Sequence, residues 1–288
     1  MTWQATLFFG LSLVTALALF FYWAIWIAEG AYFGAWAVRL LYDWGASTYD
    51  DVKEFDELDE ASFLANPLFS RLEEDAGKYS LLLDVATGTA RLPVGLFKIP
   101  FYEGEIIGLD ASRGMLSQAA EKTKAHHERI TFLHHSSVPL PFDSDVFDMV
   151  TSLEALEFMP DRHEALREMV RVLRSGGWLI VSNRIGTDAK LMPTRTDSPA
   201  KFEQFLTSIG LVEVLTRPWQ EYYDLVFARK PGSPQPGNGF NNLWQLALRC
   251  PHCHTSSGDR VSEREWHCAG CDEGVIDITP DGIWKMSS

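Results

Sequence analysis

Leu81-Leu82-Leu83-Asp84-Val85-Ala86-Thr87-Gly88-Thr89-Ala90 is the stretch that decides the fold of this chain. An apolar strand runs into a turn of small residues and then into a helix. At the carboxyl end of a parallel strand, such a turn is where a nucleotide-like ligand sits, and Gly88 lets the backbone approach it closely. A dinucleotide site wants G-x-G-x-x-G, so that a helix N-terminus can hold a pyrophosphate. Here Ala86 takes the first position, Gly88 the middle one, and the third glycine is missing. A cofactor without phosphates fits better. Asp84, just before the turn, suits a ligand carrying a positively charged amino group.

Working outward, strand-like runs alternate with amphipathic helical patterns from Leu81 to Lys230, the mark of a mostly parallel α/β sheet. Strands are expected at 80–86, 105–110, 130–134, 147–153, 178–183, 211–216 and 223–229. The clearest helix is expected over 161–174. Asp161 and Glu164 form its D-x-x-E capping box, and Leu166, Met169, Val170 and Leu173 its buried stripe, with Gly176-Gly177 ending it. Only Arg-Pro-Trp-Gln-Glu-Tyr separates the last two strands, too short for a crossover helix, so they should form an antiparallel hairpin. The second strand ends in Gly108-Leu109-Asp110, where a carboxylate can accept both ribose hydroxyls. Beyond it, Ala111 opens a helix whose Met115 and Leu116 can cover an adenine face. Asp84 and Asp110 also read as turn or N-cap residues. The strand–turn–helix context of both, in order, favours cofactor binding.

The two ends of the chain read differently. Ala5 to Ala28 holds no ionisable group except Tyr22, and at ~1.5 Å per residue it covers the ~30 Å core of a bilayer. Residues 1–30 are therefore expected to be a single-pass membrane anchor, with Trp3 and Trp23 as interfacial residues. A buried core helix and a cleaved signal peptide are the alternatives. The latter is disfavoured because no Lys or Arg precedes the apolar run. Residues 31–79 form an interfacial and lid segment: aromatic Ala31 to Trp44, then the acidic run Tyr49 to Glu60. Arg39 after the anchor agrees with a cytoplasmic catalytic domain. Residues 80–230 make the catalytic domain and the Pro/Gly-rich 231–248 a linker, leaving 249–288 as a small C-terminal domain.

That last domain contains all four cysteines. Cys250, Cys253, Cys268 and Cys271 form a CxxC…CxxC pair with 14 residues between, which can give one zinc ion its tetrahedral shell. A redox pair is the alternative. A fold of this size needs such a staple because its core is small. The formal net charge of −14 argues against a protein built to coat nucleic acid, as do seven acids against three bases in residues 250–288.

From about 80 to 230 the chain resembles the class I S-adenosylmethionine methyltransferases. Asp84-x-Ala86-x-Gly88-Thr89 stands for their first motif and Asp110 for their acidic second. Leu140-Pro141-Phe142 with Phe147-Asp148-Met149-Val150 resembles their LPF…FD-x-V segment, and Leu166-Arg167-Glu168…Gly177 their L-R-E…G-G helix and turn. The resemblance implies a Rossmann-like α/β fold with a seven-stranded sheet and an antiparallel edge hairpin, beside the transmembrane helix and the zinc ribbon. More narrowly, Tyr42-Asp43-x-x-Ala46-x-x-Tyr49-Asp50 resembles the F-D-x-x-A-x-x-Y-D opening of ubiquinone/menaquinone-biosynthesis C-methyltransferases. There this segment covers the cofactor, which implicates Tyr49. The family's adenine-binding acid is Ser136 here, followed by Ser137. The ribbon resembles small zinc-binding proteins that partner and activate methyltransferases.

Methyl transfer from a sulfonium needs chiefly proximity and alignment, and deprotonating a phenol or carbon acid needs a general base. Glu154 and Glu157, after the fourth strand, are preferred for that role over His134, His135 and His163. The leading expectation is a membrane-anchored methyltransferase acting on a lipid-phase small molecule such as a prenylated quinol. The alternatives are an accessory subunit of a larger membrane protein complex without turnover, and a protein or RNA methyltransferase.

Overall fold

A computed structural model describes residues 3–53, 57–77, 79–136, 138–234, 237, 243–256, 258–271 and 273–286. All seven expected strands form: β1 (Leu81–Val85), β2 (Glu105–Asp110), β3 (Ile130–His134), β4 (Phe147–Ser152), β5 (Leu173–Arg184), β6 (Val212–Gln220) and β7 (Tyr223–Arg229). Their spatial order is β6-β7-β5-β4-β1-β2-β3. The first five run parallel, and β7 is antiparallel to β5 and β6, closing the expected hairpin. Every residue of β4 is buried, as expected for a strand covered on both faces.

Helices α1 (Trp3–Tyr22), α2 (Ala35–Gly45) and α3 (Tyr49–Lys53) precede the sheet. Then come α4 (Glu57–Asp59), which runs on through Glu60–Ala65 into α5 (Asn66–Asp75), and α6 (Arg91–Phe97), α7 (Arg113–Lys122), α8 (Arg162–Val172), α9 (Gly186–Lys190) and α10 (Pro199–Ser208). Helix α8 begins as expected, with Asp161 accepting from the N–H groups of His163 and Glu164. Only half the capping box forms, because Glu164 turns to Arg167. The helix also ends earlier than expected, at Val172. Leu173 already pairs with Phe147, and Gly176-Gly177 lie inside β5. A Cβ on Gly177 would stand 2.6 Å from the Asp148 carbonyl oxygen, so glycine permits this close strand approach.

The quoted family-like residues brace the strand ends. Asp148 accepts from the Leu81 N–H at 2.8 Å and pairs with Arg174. Glu168 accepts from the Leu140 N–H, while Arg171 donates to the Phe142 carbonyl at 2.7 Å.

The sheet does not stop at seven strands. β8 (Gly258–Arg260), β9 (Glu265–Cys268), β10 (Val275–Ile278) and β11 (Ile283–Lys285) extend it to eleven among the described residues, correcting the expected separation of sheet and ribbon. β11 pairs parallel with β3, Ile283 beside Phe132 and Trp284 beside Leu133. An edge strand presents unpaired N–H and C=O groups, and β11 satisfies those of β3. Trp266, Ile276 and Trp284 join one core with Leu133, Phe142 and Trp244. Trp244 and Leu248, counted with the linker on composition, belong to that core. The Trp244 indole donates to Glu105 at 2.8 Å, and Leu248 bridges to Phe142.

At the other end, Leu7–Ile27 has a mean hydropathy of 2.0 and is long and apolar enough to cross a membrane, by length and composition. Hydrogen bonds tie its end and the segment after it to the body, among them Trp23 Nε1 to the Leu191 carbonyl (2.8 Å) and the Tyr32 hydroxyl to the Pro193 carbonyl (2.6 Å). Helix α2 packs on the domain through Ala37, yet exposes a stripe one turn apart: Trp36 (62%), Leu40 (59%) and Trp44 (83%).

Candidate active site

Above the carboxyl ends of β1, β2 and β4 lies an open cavity of about 840 Å³, lined by Tyr42, Tyr49, Ala86, Gly88, Asp110 and Glu154 among others. Helix α2 roofs it. The turn after β1 is tightly wound, with Ala86, Gly88 and Ala90 all in the left-handed region (φ +57°, +56° and +65°). For the alanines this costs roughly 1–2 kcal/mol each, which the surrounding packing must supply. A Cβ on Gly88 would meet nothing within 4 Å, so the turn leaves room for a ligand against its backbone.

Asp110 faces this cavity. It accepts from the Gly88 N–H (2.9 Å) and the Ser112 N–H (2.8 Å), which orient its carboxylate. Burial pushes the Asp110 carboxyl up to about 6, against the pull of those hydrogen bonds. Ala111 and Ser136 also line the cavity, the latter exposed and donating to the Val138 carbonyl. Asp84 lies beneath the turn. The hydroxyls of Thr87 and Thr151 donate to it, each at 2.6 Å, and burial pushes its carboxyl up to about 6. It is not among the residues lining the cavity. Met115 is buried in the domain and does not line the cavity. Ser137 lies outside the described residues.

Each residue of the Tyr42–Asp50 motif has a definite place. Tyr42 donates to Glu29 at 2.5 Å. Asp43 accepts from the Ser112 hydroxyl and the Gly114 N–H, at 2.6 and 2.9 Å. Ala46 sits where a Cβ on Gly114 would approach it to 3.2 Å. Tyr49 lines the cavity, and Asp50 accepts from the Thr89 hydroxyl and pairs with Lys122. Thr89 thus ties the Tyr42–Asp50 segment to the turn after β1.

A second, polar cavity of about 1150 Å³ shares Glu154 with the first. Glu154 forms ion pairs with Lys53 and Arg91. Burial opposes its ionisation, but those two cations outweigh it and hold the carboxyl below the usual range. That makes Glu154 a weak base. Glu157 is buried, receives the Tyr223 hydroxyl and faces Arg184, and burial holds its carboxyl above the usual range. It lines neither cavity. The histidines are engaged elsewhere: His134 with the Ala111 carbonyl, His135 with that of Pro139, His163 with Asp197. Sequence reasoning missed Glu29, Lys53, Arg91, Arg184 and Tyr223. These come from distant segments, and the only local signal was a Glu interrupting an apolar run.

In the C-terminal hairpins, the four cysteine sulfurs lie within 4.8 Å of one another, with Cys250–Cys271 at 3.7 Å and Cys253–Cys268 at 3.5 Å. Sulfurs on a tetrahedral ion at ~2.3 Å stand ~3.8 Å apart, so the donor set fits such an ion. Gly274 is required beside them, because a Cβ there would lie 2.3 Å from the Cys250 sulfur.

Residues 83–181 match the methyltransferase domain family. Two demethylmenaquinone methyltransferases are similar: that of Staphylococcus haemolyticus is 43% identical over 101 residues, and that of Bacillus subtilis 42% over 99. These alignments cover 35% and 34% of this chain, and the chain spans only 42% of the length of each relative. A SAM dependent methyltransferase from Aquifex aeolicus has the same fold, with a TM-score of 0.50 and 19% identity over 62% of this chain and 95% of its own. The chain carries a methyltransferase domain with the S-adenosylmethionine-dependent fold.

Proposed function

We propose that the chain is an S-adenosylmethionine-dependent methyltransferase working at a membrane on a lipid-phase acceptor of the prenylated quinol type. The observation that carries this reading is the double role of α2. Its inner face roofs the cofactor cavity through Val38 and Tyr42, while its outer stripe of Trp36, Leu40 and Trp44 continues the apolar character of α1. An aromatic stripe of this kind suits a bilayer interface. The relatives' printed activity, on demethylmenaquinone, supports an acceptor of that class.

The cofactor would lie across the turn after β1, its ribose hydroxyls on Asp110 and its adenine beside Ser136. When bound, it supplies a methyl group already activated on sulfur. The chain's own work is alignment and exclusion of water: α2 closes over the cavity, and Asp43 and Asp50 fix that lid to α7 and to the turn. The four cysteines are assigned to zinc in a structural role, bracing β3 through β11.

The test has two stages. Detergent-solubilised protein should bind S-adenosylmethionine, and Asp110→Ala should abolish binding. Protein in vesicles should then transfer label from S-[methyl-³H]adenosylmethionine to reduced demethylmenaquinone. Binding without transfer to any quinol or lipid would favour the accessory-subunit reading, and no binding by folded protein would sink the enzyme reading.

A further inference from the structure

Glu29 and Glu154 share an uncommon backbone. Their φ angles are +45° and +51°, in the left-handed region that residues other than glycine seldom adopt. Both line the polar cavity, and Glu154 also lines the cofactor cavity, so the two spaces share this residue. Their partners differ. Glu154 is neutralised by Lys53 and Arg91. Glu29 receives the Tyr42 hydroxyl at 2.5 Å and, among the described residues, forms no ion pair.

Glu29 is held firmly. The next residue, Gly30 (φ +76°), packs so closely on α2 that a Cβ there would stand 3.2 Å from the Ala37 backbone. Arg195 donates to the Ala31 carbonyl just beyond. The carboxylate is thus set by the junction between apolar helix and lid.

We propose that the polar cavity receives the hydroxyl-bearing ring of the acceptor and that Glu29 takes its proton. This rests on the methyltransferase reading above. The O–H proton passes to the Glu29 carboxylate, and the oxygen's electron pair is delivered through the ring to the methyl carbon. The methyl–sulfur bond breaks with its pair left on sulfur. The hydrogen of the methylated ring carbon shifts to the oxygen, so the net proton rests on Glu29. Burial holds the Glu29 carboxyl above the usual range despite its Tyr42 bond and the more distant cations of Lys53 and Arg184. Glu154 and Glu157 add negative charge from the β4 side, the Tyr49 hydroxyl lies near it, and Asp59, Glu60, Arg91, Asp188, Glu221, Tyr222 and Tyr223 also line the cavity.

The experiment uses the full chain in detergent, saturated with S-adenosylhomocysteine and titrated with 2-naphthol by fluorescence from pH 5 to 8. Wild type should bind, more weakly as acid protonates Glu29. Glu29→Ala should lose at least tenfold in affinity, and Glu29→Gln should lose the pH dependence, with S-adenosylhomocysteine affinity unchanged within twofold in both. Equal naphthol affinity in wild type and Glu29→Gln overturns the proposal, as does no binding by wild type. Turnover of reduced demethylmenaquinone, assayed in parallel, separates the two readings. Glu29-dependent naphthol binding without turnover rejects the acceptor named above and leaves the proton-accepting site standing. Full turnover by Glu29→Gln rejects Glu29.

Discussion

The Asp43 carboxylate on α2 accepts a 2.6 Å hydrogen bond from the Ser112 hydroxyl at the start of α7. Ser112 is the N-cap of α7 and follows Asp110 by two residues, so α2 is fastened beside Asp110, the acid proposed for the ribose. Asp43→Ala removes this tie and the bond to the Gly114 N–H. A hydrogen bond of this kind contributes about 1 kcal/mol net, so affinity for S-adenosylhomocysteine should fall about fivefold, as measured by calorimetric titration. Unchanged affinity would mean that the lid does not contribute to holding the cofactor.

Cofactor affinity should depend on pH through Asp110. A ribose diol donates to the ionised carboxylate, and burial has pushed this carboxyl up to about 6. Affinity should therefore rise about tenfold from pH 5 to pH 7. Stability of the ligand-free protein runs the other way. A raised carboxyl pKa favours the protonated native state, so this contribution is full below the unfolded value near ~4 and is lost as pH rises through about 6. Asp84, also at about 6, adds to the same loss. Calorimetric titrations at three pH values and melts without ligand check both signs, and an affinity flat across this range would remove Asp110 from the ribose site.

Trp44 is 83% exposed, so Trp44→Ser should change stability by no more than about 0.5 kcal/mol. Its effect should appear at membranes. In vesicles containing brominated lipids, wild type should show tryptophan quenching that Trp36→Phe/Trp44→Phe reduces. Quenching identical in the two proteins would take α2 off the bilayer surface.

Metal removal should weaken the entire chain, because the ribbon shares a core with the sheet. Stripping the metal, or Cys253→Ser, should lower a single calorimetric transition, since metal-binding free energy is folding free energy. Two separate transitions would show the ribbon folding independently. Within the joint, burial decides the magnitudes. Trp244→Ala should cost about 3–5 kcal/mol at a fully buried site. Asp281→Ala, which breaks the half-exposed pair with Arg113, should cost at most about 1 kcal/mol.

The sequence by itself determined the local features. The β1 turn, the seven strands, the edge hairpin, the apolar N-terminal helix and the cysteine quartet follow from periodicity, small residues at turns and ligand spacing, which act between near neighbours. Even the end of α8 was misplaced only because the pairing of Leu173 with Phe147, a long-range contact, overrode the glycine signal. Tertiary structure decided the rest. It set β11 on the open edge of β3, buried Trp244 from what composition marked as linker, and folded α2 over the cofactor cavity. It also set the partners of the acids. Glu154 looked free in the chain, but Lys53 and Arg91, 101 and 63 residues away, neutralise it. Glu29, written as the tail of an apolar anchor, lines the polar cavity and accepts from Tyr42. The character of a carboxylate depends on burial and on which cations approach it through space, and no spacing along the chain encodes either.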